Sequence, residues 1–294
     1  MSKKKWIVLG VLGGILLLFF VCFFLAIVIS FLAKGSPEFP SFGKAIALIE
    51  VIGPLDDATS ITRQLKKYRE SEDIKAIVLK VDSPGGGAAV AQEIYEEIKK
   101  TREKGKYVIC SMSSVAASGG YYIACACDSI FANPGTITGS IGVIAQMANF
   151  EGLLKKIGVR FTVVKSGEHK DIASPFREMT EEEKRLIQNL LDDVYHQFID
   201  AVCEGRNLKR EEVLKIADGR ILSGRQAKAY RLVDRLGDLE DAIDLAVKLS
   251  GIKGKPRIEK EKKRTIGLFN FLGSFSGLGK NPDQALKVEY RMVP

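Results

Sequence analysis

Between residues 44 and 165, short runs of β-forming apolar residues alternate with amphipathic segments of helical periodicity. The predicted strands are residues 44–51, 74–81, 106–112, 129–132 and 140–145, with a further extended segment at 160–165. The predicted helices are residues 59–71, 90–104, a helix opened by Ser118, and 150–157. This order implies parallel strands joined by right-handed crossovers. The sequence therefore predicts an α/β domain.

A long amphipathic helix follows this alternating region. Thr180 and Glu183 form a capping box, in which each side chain can bond the backbone N–H of the other residue. The apolar residues that follow share one stripe: Leu186, Ile187, Leu190, Leu191, Val194, Phe198 and Val202. His196 lies off the stripe, which favours a solvent-facing or locally bonded histidine over a catalytic one. Shorter helices are predicted near residues 210–216, 224–229 and 239–249.

Residues 6–33 are 28 consecutive residues without a charge, dominated by Leu, Ile, Val and Phe. At about 1.5 Å per residue, a helix of this length exceeds the roughly 30 Å hydrocarbon core of a bilayer. A cleaved signal peptide is the alternative, but its apolar region usually spans only about 7–15 residues. Because three lysines at residues 3–5 precede the run, the positive-inside rule places the N-terminus in the cytoplasm and everything after residue 34 outside.

The net charge of +8 is concentrated at the two ends of the chain. Residues 253–264 contain seven basic and two acidic residues, whereas residues 34–252 are close to neutral. A neutral body argues against nucleic acid as a partner, because phosphate binding needs a basic face on the folded domain. The tail, residues 253–294, either rests on an anionic membrane surface or is solvated.

Five cysteines and two histidines limit the metal chemistry that is available. An odd number of cysteines in apolar surroundings is typical of packing thiols. Cys125 and Cys127 form a Cys-x-Cys pair without a second pair, so a metal site is not expected. We predict no cofactor.

Residues 116–122, Ala-Ala-Ser-Gly-Gly-Tyr-Tyr, place Ser118 between small residues, after a predicted strand and at the start of a helix. Backbone N–H groups at such a position can stabilise an oxyanion, and Gly119 and Gly120 allow a substrate to approach the main chain. Ser118 is therefore the candidate nucleophile. A serine that only caps the helix is the alternative.

Three further segments lie beside predicted strands and could converge with Ser118. They are Asp82-Ser83-Pro84-Gly85-Gly86-Gly87, Gly139-Ser140-Ile141-Gly142 and Lys165-Ser166-Gly167-Glu168-His169-Lys170-Asp171. The first lacks the Gly-Lys-Ser/Thr of a phosphate loop and the Rossmann spacing, so an oxyanion loop fits it better. Each segment taken singly is also compatible with an ordinary turn.

The composition restricts the base that would activate Ser118. No Gly-x-Ser-x-Gly elbow is present, and of the two histidines only His169 lies in a polar loop. A lysine base, as in Ser-Lys hydrolases, is the alternative. Lowering a lysine pKa from about 10.4 to near 7 requires roughly 4–5 kcal/mol of preference for the neutral amine, which burial can provide. The residues alone do not decide between Lys165 and Lys170.

Four motifs together resemble the signal peptide peptidase A family, in its short form with one repeat. They are Ala-Ser-Gly-Gly-Tyr-Tyr at 117–122, Asp-Ser-Pro-Gly-Gly-Gly at 82–87, Gly-Ser-Ile-Gly-Val at 139–143 and Ser-Gly-Glu-His-Lys-Asp at 166–171. The resemblance covers most of residues 44–250. It implies the fold of the Clp protease subunit and the crotonases, with repeated ββα units, preceded by one N-terminal transmembrane helix.

The resemblance also implies roles for individual residues. Ser118 is the nucleophile, Lys170 is the general base, and Ser140 is the hydrogen-bond partner of the lysine. The oxyanion hole is formed by backbone N–H groups of Gly85 or Gly86 and of Gly119. One position departs from the family, because Arg231 stands where glycine is usual. A left-handed helix cap at this position would be strained by about 1 kcal/mol.

The implied protein is a Ser-Lys endopeptidase anchored in a bacterial-type inner membrane, which degrades remnant signal peptides after preprotein processing. Its segments are cytoplasmic residues 1–5, a transmembrane helix 6–33, an extracytoplasmic serine protease domain 34–252 and the tail 253–294. Family members assemble into rings, where the serine and lysine of short members can come from neighbouring subunits. The alternative function is a non-catalytic crotonase-like scaffold or an acyl-thioester binder.

Overall fold

The computed structural model describes residues 14, 16–25, 44–254, 256–261 and 289–291. The chain divides into two compact units, Met1–Gly43 and Lys44–Pro294. In the first unit, residues 14 and 16–25 are helical (α1) and exposed. Within the described part of the chain, no helix is long and apolar enough to cross a membrane. The predicted cytoplasmic residues 1–5, most of the predicted span 6–33, and residues 262–288 of the tail lie outside the described residues.

The second unit contains the elements that position the site. Its strands are β1 (Ala45–Ile52), β2 (Ile74–Ser83), β3 (Gly85–Gly87), β4 (Tyr107–Ala117), β5 (Ser129–Ala132), β6 (Ile137–Gly139), β7 (Ile221–Ser223), β8 (Arg235–Leu236), β9 (Arg257–Lys260) and β10 (Glu289–Arg291). Its helices are α2 (Thr59–Glu70), α3 (Ala88–Glu103), α4 (Gly119–Cys125), α5 (Glu151–Lys156), α6 (Glu181–Arg206), α7 (Arg210–Leu214), α8 (Gly224–Ala229) and α9 (Leu239–Ser250).

Eight of these strands form one sheet. β7, β6, β4, β2, β1 and β9 follow one another across it, and β5 lies between β4 and β8. Every pair is parallel except β6 with β7. The long strand β4 pairs with β5 along residues 109–112 and with β6 along residues 115–117. β3 and β10 form a separate antiparallel pair.

The sheet separates two clusters of buried apolar residues, because successive side chains of a strand point to opposite faces. In β1, Ala47 and Ile49 belong to the core formed with α2, α3, α4 and the second half of α6. Ile46 and Leu48 pack instead with α9 on the other face. Strands covered on both faces become continuous apolar runs in the sequence. This burial explains why runs of apolar residues in the sequence predicted β1 and β2.

The predicted α/β fold is confirmed, with a sheet of mostly parallel strands, but two predicted extended segments are wrong. Residues 140–145 contain no strand, because β6 comes before them and Gly139 and Ser140 turn the chain away with φ of 75° and 50°. Residues 160–165 have no regular structure. β4 continues past the predicted end at residue 112 as far as Ala117, and residues 257–260 of the predicted tail form the strand β9 beside β1.

The predicted capping box at the start of α6 is confirmed. The Glu183 N–H donates to Thr180 Oγ1 at 3.1 Å, and the Thr180 N–H donates to Glu183 Oε2 at 2.9 Å. Of the apolar stripe of this helix, Ile187, Phe198 and Val202 are buried. Leu186 and Leu190 remain 42% and 43% exposed, so part of the stripe in the first half of α6 is open to solvent.

Candidate active site

Ser118 lies on a sharp turn between β4 and α4. Its φ and ψ are 52° and −116°, a combination that non-glycine residues rarely adopt. Its N–H donates to the Gly139 carbonyl at 2.8 Å, and only 1% of the residue is exposed. The side chain makes no capping bond to the helix. A capping role therefore does not explain this serine, and strain of this kind is concentrated at functional sites.

The close packing of α4 against β2 depends on Gly120, the second residue of the helix. A Cβ added to Gly120 would lie 2.7 Å from the Ser83 carbonyl oxygen at the end of β2. Any larger residue would therefore push α4 away from β2. The close approach brings the segment after β2, which contains Gly85 and Gly86, next to Ser118.

Hydrogen bonds distinguish Gly85 from Gly86. The Gly85 N–H donates to Ser83 Oγ at 3.2 Å, and the Gly85 carbonyl accepts from the Leu55 N–H at 2.8 Å. The Gly87 N–H donates to the Leu55 carbonyl at 2.9 Å. Because backbone groups alternate in direction along a strand, the N–H of Gly86 points away from Leu55 and into the opposite groove. Of the two glycines, Gly86 is the one whose N–H faces the side on which β10 pairs with β3.

Ser140 lies beside the same turn. It follows Gly139, whose carbonyl accepts the Ser118 N–H, and its own N–H donates to the Arg220 carbonyl at 2.8 Å. Its φ is 50°, and 9% of the residue is exposed. A pocket of about 590 Å³ lies between the segment from Ser140 to Ile144 and helix α6, where Leu191 and Tyr195 line it. The structure therefore brings Ser118, Ser140 and the glycine segments together.

Lys170 does not join this group within one chain. It is exposed in a turn, where its N–H donates to the Gly167 carbonyl at 3.1 Å. Within the described ranges, its ammonium has no hydrogen-bond or ion-pair partner, and no bond links it to Ser118 or Ser140. Lys165, the alternative, is engaged locally, because its Nζ donates to the Glu168 carbonyl and to Asp171 Oδ1, both at 2.5 Å.

The turn that carries Lys170 is fastened to the start of α6 by Arg177. This guanidinium donates to Asp171 Oδ2 at 2.8 Å and to Glu183 Oε2 at 2.8 Å. The Arg177 hydrogen bonds, with help from the Thr180 N–H, lower the pKa of Glu183 from 4.5 to about 2. Arg177, followed by Lys165, also holds the pKa of Asp171 below its ordinary value. The base of the turn is therefore ordered although its surface is open.

Residues 146–180, here called the exposed arm, contain no buried residue. Phe161 and Phe176 stack with ring centroids 3.9 Å apart and stabilise the arm internally. Its large apolar side chains nevertheless remain open to solvent: Met147, Phe150, Leu153, Ile157, Val159, Phe161, Val163 and Val164, the last of these 95% exposed. Exposed apolar side chains grouped in this way are typical of surfaces that contact a protein, a membrane or a ligand.

The histidines and cysteines lie outside the group around Ser118. His169 Nε2 is 4.0 Å from Glu182 Oε1, and His196 Nδ1 lies 3.0 Å from an Arg210 nitrogen. Cys125 is buried, and burial raises its thiol pKa to about 12. In the part of the chain that the structure describes, no cluster of His, Cys, Asp or Glu could hold a metal ion.

Sequence reasoning missed β10 beside the glycine segment, although Tyr290 and its neighbour Val288 are β-formers.

A buried, strained serine at the end of a parallel strand, beside glycine-rich backbone, is the arrangement of a serine hydrolase. The comparisons with known proteins agree with this class. The sequence profile of Peptidase family S49 matches residues 100–253, and that of Clp protease matches residues 45–138. The chain belongs to peptidase family S49. It is a serine peptidase, and its mostly parallel sheet is consistent with a Clp protease-like fold.

Individual relatives support the same family. A putative protease of Synechocystis sp. is 48% identical over 211 residues, which cover 71% of this chain and 76% of the relative. A putative signal peptide peptidase SppA of Enterococcus faecium is 34% identical across 93% of this chain and 89% of its own length. Protease 4 of Haemophilus influenzae is 35% identical over 69% of this chain but only 34% of its own length. The family that the four motifs predicted is confirmed.

Proposed function

We propose that the protein is a Ser-Lys endopeptidase. Ser118 Oγ attacks a peptide carbonyl, and Lys170 Nζ accepts the hydroxyl proton and passes it to the leaving amine. Water, deprotonated by the same amine, then releases the acyl group from Ser118. The N–H groups of Gly86 and Gly119 hold the negative oxygen of each tetrahedral intermediate, and the Ser140 hydroxyl orients the amine. The observation that carries this proposal is the strained, buried and uncapped conformation of Ser118.

The proposed base reaches the nucleophile from a neighbouring copy of the chain. Lys170 lies on the exposed arm, and Ser118 lies in the core of the same chain. A neighbour that covered the apolar side chains of the arm would bury Lys170, and burial is what a neutral amine base needs. Repetition of this head-to-tail contact would generate a ring, because a heterologous interface closes when its rotation allows.

The proposed substrates are remnant signal peptides in a membrane. We propose that residues 6–33 anchor the protein in this same membrane. The relative from Enterococcus faecium is named a putative signal peptide peptidase. The uncharged run 6–33 is long enough to span a bilayer, and the lysines before it favour a cytoplasmic N-terminus. The peptidase domain then acts outside the cytoplasm, at an inner membrane of the bacterial type.

Labelling with a serine-reactive fluorophosphonate tests the proposed nucleophile. The reagent should modify the protein at Ser118 and block hydrolysis of an unstructured peptide. Ser118→Ala should remove both the label and the activity. Ser114→Ala, which changes an exposed serine of β4, is the matched control and should retain both. A folded protein without label or hydrolysis would instead favour the non-catalytic scaffold or the acyl-thioester binder.

A further inference from the structure

A pocket of about 350 Å³ lies beside the last residues of α6 and α8, and none of its lining residues belongs to the proposed peptidase mechanism. Positively charged side chains dominate its walls. The lining residues are Arg206, Asn207, Lys228, Arg231, Val233 and Asp234. Three positive charges therefore share the pocket with one carboxylate, which leaves two positive charges in excess. A small concave site with such an excess attracts anions.

The one carboxylate of the pocket is already engaged through both of its oxygens. Asp234 Oδ1 accepts from Arg206 Nη2 at 2.5 Å, and Asp234 Oδ2 accepts from the Ile130 N–H at 2.8 Å. Lys228 Nζ donates to the Asp234 backbone carbonyl at 2.7 Å, and within the described residues it forms no ion pair. The positive charge of Lys228 therefore lacks a counterion of its own in this part of the chain.

The guanidinium of Arg206 is the most deeply buried charged group of the pocket, because its side chain is only 6% exposed. Its Nε donates to the Arg231 carbonyl at 3.2 Å, and its Nη2 donates to Asp234. Across the described ranges of the chain, Nη1 has no hydrogen-bond partner. This nitrogen can therefore donate to an acceptor that enters the pocket.

Arg231 lies in the same pocket at a conformational cost. Its φ of 64° belongs to the left-handed region, where glycine is favoured by about 1 kcal/mol. Backbone N–H groups already satisfy the carbonyls of residues 226–228, so the arginine side chain is not needed to complete the end of α8. Its contacts with Glu212 and with the Asn207 carbonyl are long, at 3.5 and 3.4 Å. Strain of this kind is concentrated at functional sites.

We propose that this pocket binds a phosphate group, which Arg206 contacts from the buried side while Lys228 and Arg231 contact it from the exposed side. A phosphate group offers more acceptor oxygens than a carboxylate, so it can bond all three cations at once. The group belongs either to a soluble phosphate ester or to the headgroup of an anionic lipid. The inference does not depend on the proposed peptidase activity, and its tests measure binding and stability.

Calorimetric titration of the full chain with inorganic phosphate, in detergent micelles and at constant ionic strength in chloride, is the first test. Binding should be saturable. Arg231→Ala should weaken the affinity at least about tenfold, because a charge-assisted contact is lost. Arg225→Ala is the matched control, since it removes an exposed arginine of α8 that does not line the pocket, and it should keep the affinity. Absence of saturable binding, or equal affinities of the two variants, would overturn the inference.

Arg231→Gly separates phosphate binding from stability. In phosphate-free buffer, this variant should unfold at a higher urea concentration than the unchanged protein, because the left-handed strain is released. Its affinity for phosphate should nevertheless fall by about the same factor as that of Arg231→Ala. Added phosphate should raise the urea midpoint of the unchanged protein more than that of the glycine variant. A glycine variant with unchanged phosphate affinity would refute the site.

Two lipids distinguish the sources of the phosphate group. Phosphatidylglycerol added to the micelles should weaken the apparent affinity for inorganic phosphate if an anionic headgroup occupies the pocket, whereas the same amount of phosphatidylcholine should not. Saturable phosphate binding that neither lipid changes would assign the pocket to a soluble phosphate ester, and glycerol 3-phosphate should then compete with inorganic phosphate. Equal loss of affinity with both lipids would contradict recognition of an anion at this pocket.

Discussion

At the scale of single residues, Ser118 differs from the serines and threonines that cap helices in the same chain. Thr180 and Ser223 have extended backbone, and their side chains accept a bond from the first helical turn, as capping residues usually do. Ser118 has a φ of 52° and makes no such bond. A conformation of this kind costs roughly 1–3 kcal/mol. The fold therefore maintains strain at the residue that we propose as the nucleophile.

Gly120→Ala should disturb the turn that carries Ser118. The new Cβ would lie 2.7 Å from the Ser83 carbonyl oxygen, so α4 must shift. We expect a loss of about 1–3 kcal/mol in the free energy of unfolding and a fall in kcat of roughly tenfold or more, measured by urea denaturation and peptide hydrolysis. Gly135→Ala, where a Cβ meets nothing within 4 Å, is the control and should change neither. Full activity of Gly120→Ala would argue against a tightly positioned Ser118.

Lys170→Arg should be inactive even though it preserves the positive charge. A guanidinium does not release its proton in the working pH range, so it cannot act as the base. We expect kcat to fall roughly 10²–10⁴-fold, in a protein with unchanged circular dichroism. Lys165→Arg is the matched control, because arginine can maintain the contact with Asp171, and it should stay active. An active Lys170→Arg protein would refute the neutral-amine mechanism.

At the scale of elements, the junction between the exposed arm and α6 depends on ionised carboxylates. Arg177 lowers the pKa of Glu183 to about 2, so the unfolded chain binds the proton more readily than the folded one. The stabilisation is therefore complete above the ordinary value of 4.5 and is lost as pH falls toward 2. The side chain is almost fully buried, which limits screening of the contact by solvent.

Glu183→Gln tests this pH dependence. It should lower the free energy of unfolding by about 1–3 kcal/mol near pH 6, because a charge-assisted contact is lost. The difference from the unchanged protein should shrink between pH 4.5 and pH 2, as measured by urea denaturation across this range. Glu182→Gln is the control, since Glu182 is 63% exposed and lies 4.0 Å from His169. A difference that stays constant with pH would contradict the ion-pair explanation.

The helix α8 ends in a left-handed cap at Arg231, the position where the resemblance to the family led us to consider such a cap. Its φ is 64°, its N–H donates to the Lys228 carbonyl at 3.0 Å, and the Leu232 N–H donates to the Ala227 carbonyl at 2.8 Å. These two bonds form a Schellman motif, which favours glycine at the left-handed position. The ion pair of Arg231 with Glu212 is exposed and contributes little.

Arg231→Gly should therefore stabilise the protein by about 1 kcal/mol and leave peptide hydrolysis unchanged. Arg231→Ala is the comparison, because it removes the same ion pair but keeps a Cβ in the left-handed conformation. Urea denaturation should rank the glycine variant above the alanine variant. The reverse order would show that strain at this cap is unimportant.

Sequence patterns correctly predicted the strands and helices whose apolar side chains are buried against other parts of the same chain. The strands β1 and β2 are apolar on both faces, and the capping box of α6 involves only residues that are close in sequence. All three features were therefore predictable from the sequence. Residues 160–165 have the same kind of apolar pattern but lie exposed on the arm, so the pattern there does not reflect a strand of the sheet. The groove-facing direction of Gly86 depends on Leu55, and β10 depends on pairing with β3; neither tertiary contact leaves a local signal.

At the scale of the whole molecule, a dyad built between copies predicts complementation. Ser118→Ala and Lys170→Ala proteins should each be inactive alone. After dissociation and joint reassembly in equal amounts, about a quarter of the interfaces would combine an intact serine with an intact lysine. Peptide hydrolysis should then recover to a similar fraction of the unchanged protein. Mixed assemblies without any activity would mean that each chain supplies its own complete dyad.

The strand β9 also affects how copies of the chain can meet. It covers the outer edge of β1, and it carries Arg257, Glu259 and Lys260, with Lys260 paired to Glu50 at 2.8 Å. Charged residues on a short edge strand oppose edge-to-edge pairing of strands between molecules, which is how many β-rich proteins begin to aggregate. Copies of the chain at high local concentration would therefore not grow into fibres through this edge of the sheet.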